Sequence, residues 1–145
     1  MQNPIVEYLQ LHIGKEVEES PSAFSLWLKG TLLSAEEGHV SASFSIRDDM
    51  TNPIKNLHGG VSAAIMDDMM GLAVFTLNKQ VFFTSVSLNV DFLAPASIGD
   101  TITAVAKVVR NGKTMVNVEC HIYGKQGKLI AKGSSNLLVT GKMVE

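Results

Sequence analysis

The sequence predicts an α+β fold, an antiparallel sheet of five to six strands wrapped around one long central helix. Three observations carry this. The stretch from Gly59 or Gly60 to about Asn78 has the length of a helix and apolar residues on nearly every side. Segments around it alternate apolar and polar residues with a period of two, as half-buried strands do. Four strand-like segments follow the helix in a row with short turns, which implies antiparallel pairing. Such a sheet must bury one face, and the Gly59–Asn78 segment is the sizeable element that can cover it.

Taken in order, residues 5–13 (IVEYLQLHI) space their apolar positions as in a helix. Residues 21–29 (PSAFSLWLK) form a short helix, with Ser20 as N-cap and Pro21 at the first helical position. Residues 1–30 thus read as an N-terminal helical extension of a single domain spanning 1–145. Thr31 to Ser34 is a strand, joined through Glu36-Glu37-Gly38 to a second strand over 39–47. There Val40, Ala42, Phe44 and Ile46 alternate with Ser41, Ser43, Ser45 and Arg47. Residues 48–58 are polar and turn-rich around Asn52-Pro53.

After the helix, Phe82 to Leu93 sets Phe82, Thr84, Val86, Leu88, Val90 and Phe92 against Phe83, Ser85, Ser87, Asn89 and Asp91. Thr101 to Val109 is rich in β-branched residues and alanine. Arg110-Asn111-Gly112-Lys113 holds an Asn-Gly pair suited to a tight hairpin, with Thr114 to Tyr123 as the partner strand. Gly124 to Lys128 turns into a last strand, Leu129 to Thr140.

Composition bounds the function. The 145 residues suit one domain with a real core. Twelve basic against 14 acidic residues leave no basic footprint for nucleic acid. A single cysteine, Cys120, forms no internal disulfide framework and favours a reducing compartment. The start lacks the basic region and apolar run of a signal peptide, so a cytoplasmic location is expected. The most apolar stretch, Val61 to Leu77, is broken by Asp67 and Asp68, which argues against a membrane span.

The sharpest local feature is Asn52-Pro53-Ile54-Lys55-Asn56-Leu57-His58-Gly59-Gly60, followed by Asp67 inside the helix. With Ser85 to Asn89 (SVSLN), Ala94-Pro95-Ala96, Gly99-Asp100 and the Arg110–Thr114 hairpin, this set resembles the PaaI-like hot-dog-fold acyl-CoA thioesterases. The resemblance covers roughly residues 25–140. It implies hydrolysis of acyl-CoA to free acid and coenzyme A, with Asp67 as general base or nucleophile. It also implies orienting and leaving-group roles for Asn52 and His58, and a water-holding role for Ser85. No separate cofactor is implied, because coenzyme A is part of the substrate.

The chemistry agrees. Thioester hydrolysis needs an activated oxygen nucleophile and donors for the developing oxyanion. His58-Gly59-Gly60 stands where a polar loop enters a helix, and the first N–H groups of a helix lack intrahelical partners. The Gly59 N–H is therefore the candidate oxyanion donor. The same glycines would serve equally to permit a sharp turn. Asp67 falls among Met66, Met69, Met70 and Ala64, an apolar setting that is costly for an unpaired carboxylate. Asp68 lies about 100° around the helix and reads as solvated. Asn52 fits a turn before Pro53, and His58 fits a capping role, as well as catalysis. Strict alternation puts Ser85 on the face opposite Val86 and Leu88.

Gly60, Arg110 and Lys113 are the candidates for holding the coenzyme A moiety, with Lys125, Lys128 and Lys132 as further cations. His12, His39 and His121 have no metal-ligand spacing, and no phosphate-binding Gly loop or G-x-S-x-G occurs. Gly59 and Asp67 are about 12 Å apart along one helix, too far to act on one carbon. Two antiparallel helices side by side would solve this, so a homodimer with shared sites is expected, and the family resemblance implies a homotetramer. The alternatives are a hot-dog dehydratase or hydratase and a non-catalytic acyl-CoA-binding protein.

Overall fold

The computed structural model describes residues 2–144. The helices are α1 (Pro4–Gln10), α2 (Ala23–Leu28) and α3 (Gly59–Phe75). The strands are β1 (Thr31–Glu36), β2 (His39–Ser45), β3 (Val81–Phe92), β4 (Thr101–Asn111), β5 (Met115–Tyr123) and β6 (Leu129–Met143). All six strands form one sheet in the order β1-β2-β4-β5-β6-β3, antiparallel throughout.

The helix sits against one face of this sheet because small residues make room for it. Ala104, Ala106 and Ala131 are fully buried beneath it, beside Ile102, Val118 and Ile122. A Cβ on Gly133 would stand 3.2 Å from Met66 Sδ. Ile65, Met66, Met69, Met70 and Ala73 fill the gap from the helix side. Close packing of this kind supplies most of a helix's stability in a small domain.

The helix is not apolar-covered all round. Gly60, Asp67 and Phe75 are exposed along one side, and Ala63, Ala64 and Gly71 are half-buried. It ends at Phe75 with Thr76 as C-cap, short of the expected Asn78. The buried Thr76 hydroxyl donates to the Ala73 carbonyl at 2.6 Å and accepts from the Gly38 N–H at 2.7 Å, tying the β1–β2 turn to the helix end.

Other boundaries also move. α1 stops at Gln10; Asn3 caps it, accepting from the Ile5 and Val6 N–H groups. The N-cap of α2 is Ser22, which accepts from Ser25 N–H at 3.2 Å, and not Ser20, whose hydroxyl accepts from Ser22 N–H. Asn111 stays in the ladder opposite Val116, so the β4–β5 loop is longer than a two-residue Asn-Gly turn.

Two departures matter for function. β3 does not pair with β4, its successor in the chain, but with β6 at the sheet edge. The connection between them passes the start of α3, where the Ala96 carbonyl accepts from Leu57 N–H at 2.7 Å. Second, β3 carries a bulge. Ser85 pairs with Leu137 and Ser87 with Asn136, leaving Val86 as the extra residue. Paired residues share a face, so Ser85 joins Leu88, Val90 and Phe92 on the helix-facing side, opposite Leu137, Ser135, Gly133 and Ala131. Among the described residues, no helix is long and apolar enough to cross a membrane.

Candidate active site

His58 is the N-cap of α3. Its Nδ1 accepts from Gly60 N–H at 2.9 Å, and its carbonyl accepts from Val61 and Ser62 at 2.9 and 3.0 Å. The Gly59 N–H between them has no acceptor among the described residues. It is a free donor at the positive end of a 17-residue helix. A Cβ at Gly59 would lie 3.3 Å from the exposed Phe92 ring, so glycine keeps this approach open. Since Nδ1 accepts, a neutral His58 carries its proton on Nε2.

Asn52 shapes the loop before the helix. Its Oδ1 accepts from the Ile54 and Asn56 N–H groups, both at 3.1 Å, an Asx arrangement that organises the turn. Its Nδ2 has no partner among the described residues and is free to donate.

Asp67 and Ser85 meet directly: Ser85 Oγ donates to Asp67 Oδ1 at 2.8 Å. The bulge at Val86 makes this contact, which strict alternation hid. The burial of the two acidic residues is the reverse of the expectation. Asp67 is exposed, and Asp68 is half-buried with its Oδ1 accepting from Ser25 Oγ at 2.7 Å. The reason is that α2 covers the Asp68 side of α3. Burial raises the Asp68 carboxyl above its ordinary value, the Ser25 bond opposes this, and the Asp67 charge adds to the rise. Ser25 and Phe92 were missed in the sequence, since both contacts depend on packing between distant segments.

Asn52, His58 and Gly59 gather at the start of the helix, and Asp67 and Ser85 gather at its middle. The two groups stay about 12 Å apart along α3. Gly60, Arg110 and Lys113 are not brought together either. Lys79 Nζ donates to the Gly112 carbonyl at 3.1 Å, which places the β4–β5 hairpin beside the far end of the helix. Lys125 is paired with Asp100 at 2.9 Å and holds that carboxyl below its usual value. Lys132 lies in the ladder opposite Asp91. Among the described residues no group of His, Cys, Asp or Glu could hold a metal ion. Burial pushes the Cys120 thiol up to about 12, so it is no nucleophile at neutral pH.

The family model of the thioesterase superfamily matches residues 54–131. The chain belongs to the thioesterase superfamily. The match takes in His58, Gly59, Asp67 and Ser85, while Asn52 lies just before it. Human acyl-coenzyme A thioesterase 13 is 34% identical over 106 residues, 72% of this chain and 76% of that protein. The acyl-coenzyme A thioesterase PaaI of Escherichia coli K12 is 29% identical over 117 residues, 77% of this chain and 81% of that protein. The crystal structure of zebra fish thioesterase superfamily member 2 superposes with a TM-score of 0.79 at 26% identity, over 95% of this chain and 97% of that one. This thioesterase has the hot-dog fold, a sheet wrapped around one helix.

Proposed function

We propose that this thioesterase hydrolyses acyl-CoA to a free acid and coenzyme A. The observation that carries the reading is the Asp67 carboxylate on the open side of α3, held by Ser85. As general base, Asp67 takes a proton from water while the oxygen bonds to the thioester carbon. The C–S bond then breaks and the thiolate leaves as coenzyme A. As nucleophile, Asp67 instead forms a mixed anhydride that water opens. Either way, the carbonyl oxygen gains negative charge, and the Gly59 N–H is the donor that stabilises it. Asn52 and His58 orient the thioester, Ser85 holds the water or the carboxylate, and Gly60, Arg110 and Lys113, which one chain keeps apart, hold the coenzyme A moiety by meeting across subunits.

One chain separates Gly59 from Asp67, so the working unit is a homodimer in which each site takes Gly59 from one protomer and Asp67 from the other. Two features support this. The β3 strand ends the sheet order, leaving one edge of 12 residues unpaired within the chain. Its Phe82, Val86, Leu88 and Phe92 are exposed, next to the open side of α3. Two dimers then form the tetramer that the family resemblance implies. Residues 1–30 extend the domain, the enzyme works in the cytoplasm, and no cofactor is required.

A hot-dog dehydratase would pair a histidine with an acid. Within one chain, no carboxylate bonds the His58 ring among the described residues, and its Nδ1 accepts from the Gly60 N–H. A panel of acyl-CoA thioesters, with released thiol measured, tests the proposal. Steady turnover of at least one is expected. Binding of acyl-CoA without thiol release would make the protein a carrier.

A further inference from the structure

We propose that the N-terminal helix α1 closes the acyl pocket of this enzyme and sets the longest acyl chain it takes, with Ile5 as the end stop. The proposal rests on the thioesterase reading above. A cavity of about 180 Å³ lies between the C-terminal half of α3 and the start of β3. Asp67 and Ser85 do not line it, but each of its walls starts beside one of them. On the helix, Gly71 lies one turn beyond Asp67, and Val74 and Phe75 lie one further turn along the same side. On the sheet, Phe83 is the next residue on Ser85's face, and Leu137 is Ser85's own ladder partner.

Gly71 leaves the way in open, since a Cβ built there meets no atom within 4 Å. The route from Asp67 to Phe75 is about 12 Å, room for an aliphatic chain and longer than a two-carbon acyl group needs. The far end is shut by Ile5 of α1 and by Val144, with the Asn78–Gln80 turn supplying the polar lining. Ile5 is held there by Asn3, which caps α1 and whose Nδ2 donates to the Thr76 carbonyl at 2.7 Å and to Glu37 at 3.2 Å. Residues 1–10 lie outside the matched 54–131 segment. Asn3 is a positioning residue, acting through Ile5.

The test is the kcat/KM of saturated straight-chain acyl-CoAs of increasing length for the wild type, Ile5→Ala and Asn3→Ala, each normalised to its own rate on a short chain. In the wild type the ratio should climb about fourfold per methylene, roughly 0.8 kcal/mol each, until the chain meets Ile5, and then stop. Both variants should carry the climb to longer chains. A break at the same length in all three proteins, with thiol still released, would overturn the end stop but leave the thioesterase reading intact. If no thiol is released from any acyl-CoA, the hydrolase reading fails instead. The dissociation constants of the same acyl-CoAs, measured by calorimetry, then decide the pocket: a shifted break supports it and an unshifted one rejects it.

Discussion

Ser85 Oγ donates a 2.8 Å hydrogen bond to Asp67 Oδ1 across 18 positions of sequence. The bond fixes one carboxylate oxygen and leaves the other free to face water or a thioester. It also joins the central helix to the edge strand, so the geometry of the reacting group depends on the register of β3.

Asp67→Asn should lower kcat by about 10²-fold or more, as expected when a general base or nucleophile is lost. The melting temperature should hardly move, because Asp67 is exposed. Ser85→Ala should cost less than Asp67→Asn, since it removes an orienting bond and not the reacting group. Wild-type turnover in Asp67→Asn would remove Asp67 from the mechanism. Single turnovers in ¹⁸O-water test the nucleophile role: water that opens the anhydride at the Asp67 carbonyl leaves label in the Asp67 carboxylate, and label found there would establish the covalent route.

Gly59→Pro deletes the free N–H at the first helical position, where proline is tolerated. His58 already has φ −63° and ψ 134°, the extended backbone that a residue before proline prefers. The variant should therefore fold normally and lose about 10²–10³ in kcat, the usual effect of removing an oxyanion donor. Gly59→Ala keeps the donor and needs only the exposed Phe92 ring to give way, so it should retain more activity. Normal kcat in a folded Gly59→Pro protein would place the donor elsewhere.

Shared sites can be tested by complementation. Gly59→Pro and Asp67→Asn subunits, each inactive alone, should recover about a quarter of wild-type activity after random re-pairing, since each mixed dimer has one intact site. A fully active protein of monomeric mass in solution would rule out the dimeric site.

Asp68 predicts a pH dependence of stability. Its folded carboxyl binds a proton more readily than the unfolded one, so the native state is penalised as pH rises through the gap between the two values. Asp68→Asn keeps an oxygen to accept from Ser25 and removes the charge. Its melting temperature should equal that of the wild type below pH 3.8, the ordinary carboxyl value, and exceed it at pH 7. Equal melting temperatures at both pH values would show that the burial carries no cost.

The strands and the central helix were legible in the sequence because their signals are local. Val40, Ala42 and Phe44 are buried in alternation on β2, as their period of two requires. The His58-Gly59-Gly60 run opens α3, since a capping side chain and two flexible residues suit a helix start. Helix ends were less legible. Ser20 and Ser22 each accept from an N–H two or three residues ahead, and Ser22 is the α2 cap because only its acceptor bond reaches into the first turn, at Ser25.

By itself, the sequence determined the fold class, the helix that carries Asp67 and the loop that presents Gly59. Three things were left to the tertiary structure: the pairing of β3 with β6, the bulge at Val86 and the exchange of environments between Asp67 and Asp68. Periodicity reports how one segment meets an interface, but ladder register is set by partners far away in the chain. One extra residue in β3 reverses the face of everything after it, and so brings Ser85 onto the same side as Leu88 and within reach of Asp67. Likewise, which of two adjacent carboxylates is buried depends on where α2 lies, and that is decided by packing between segments more than 40 residues apart, as the Ser25–Asp68 bond shows.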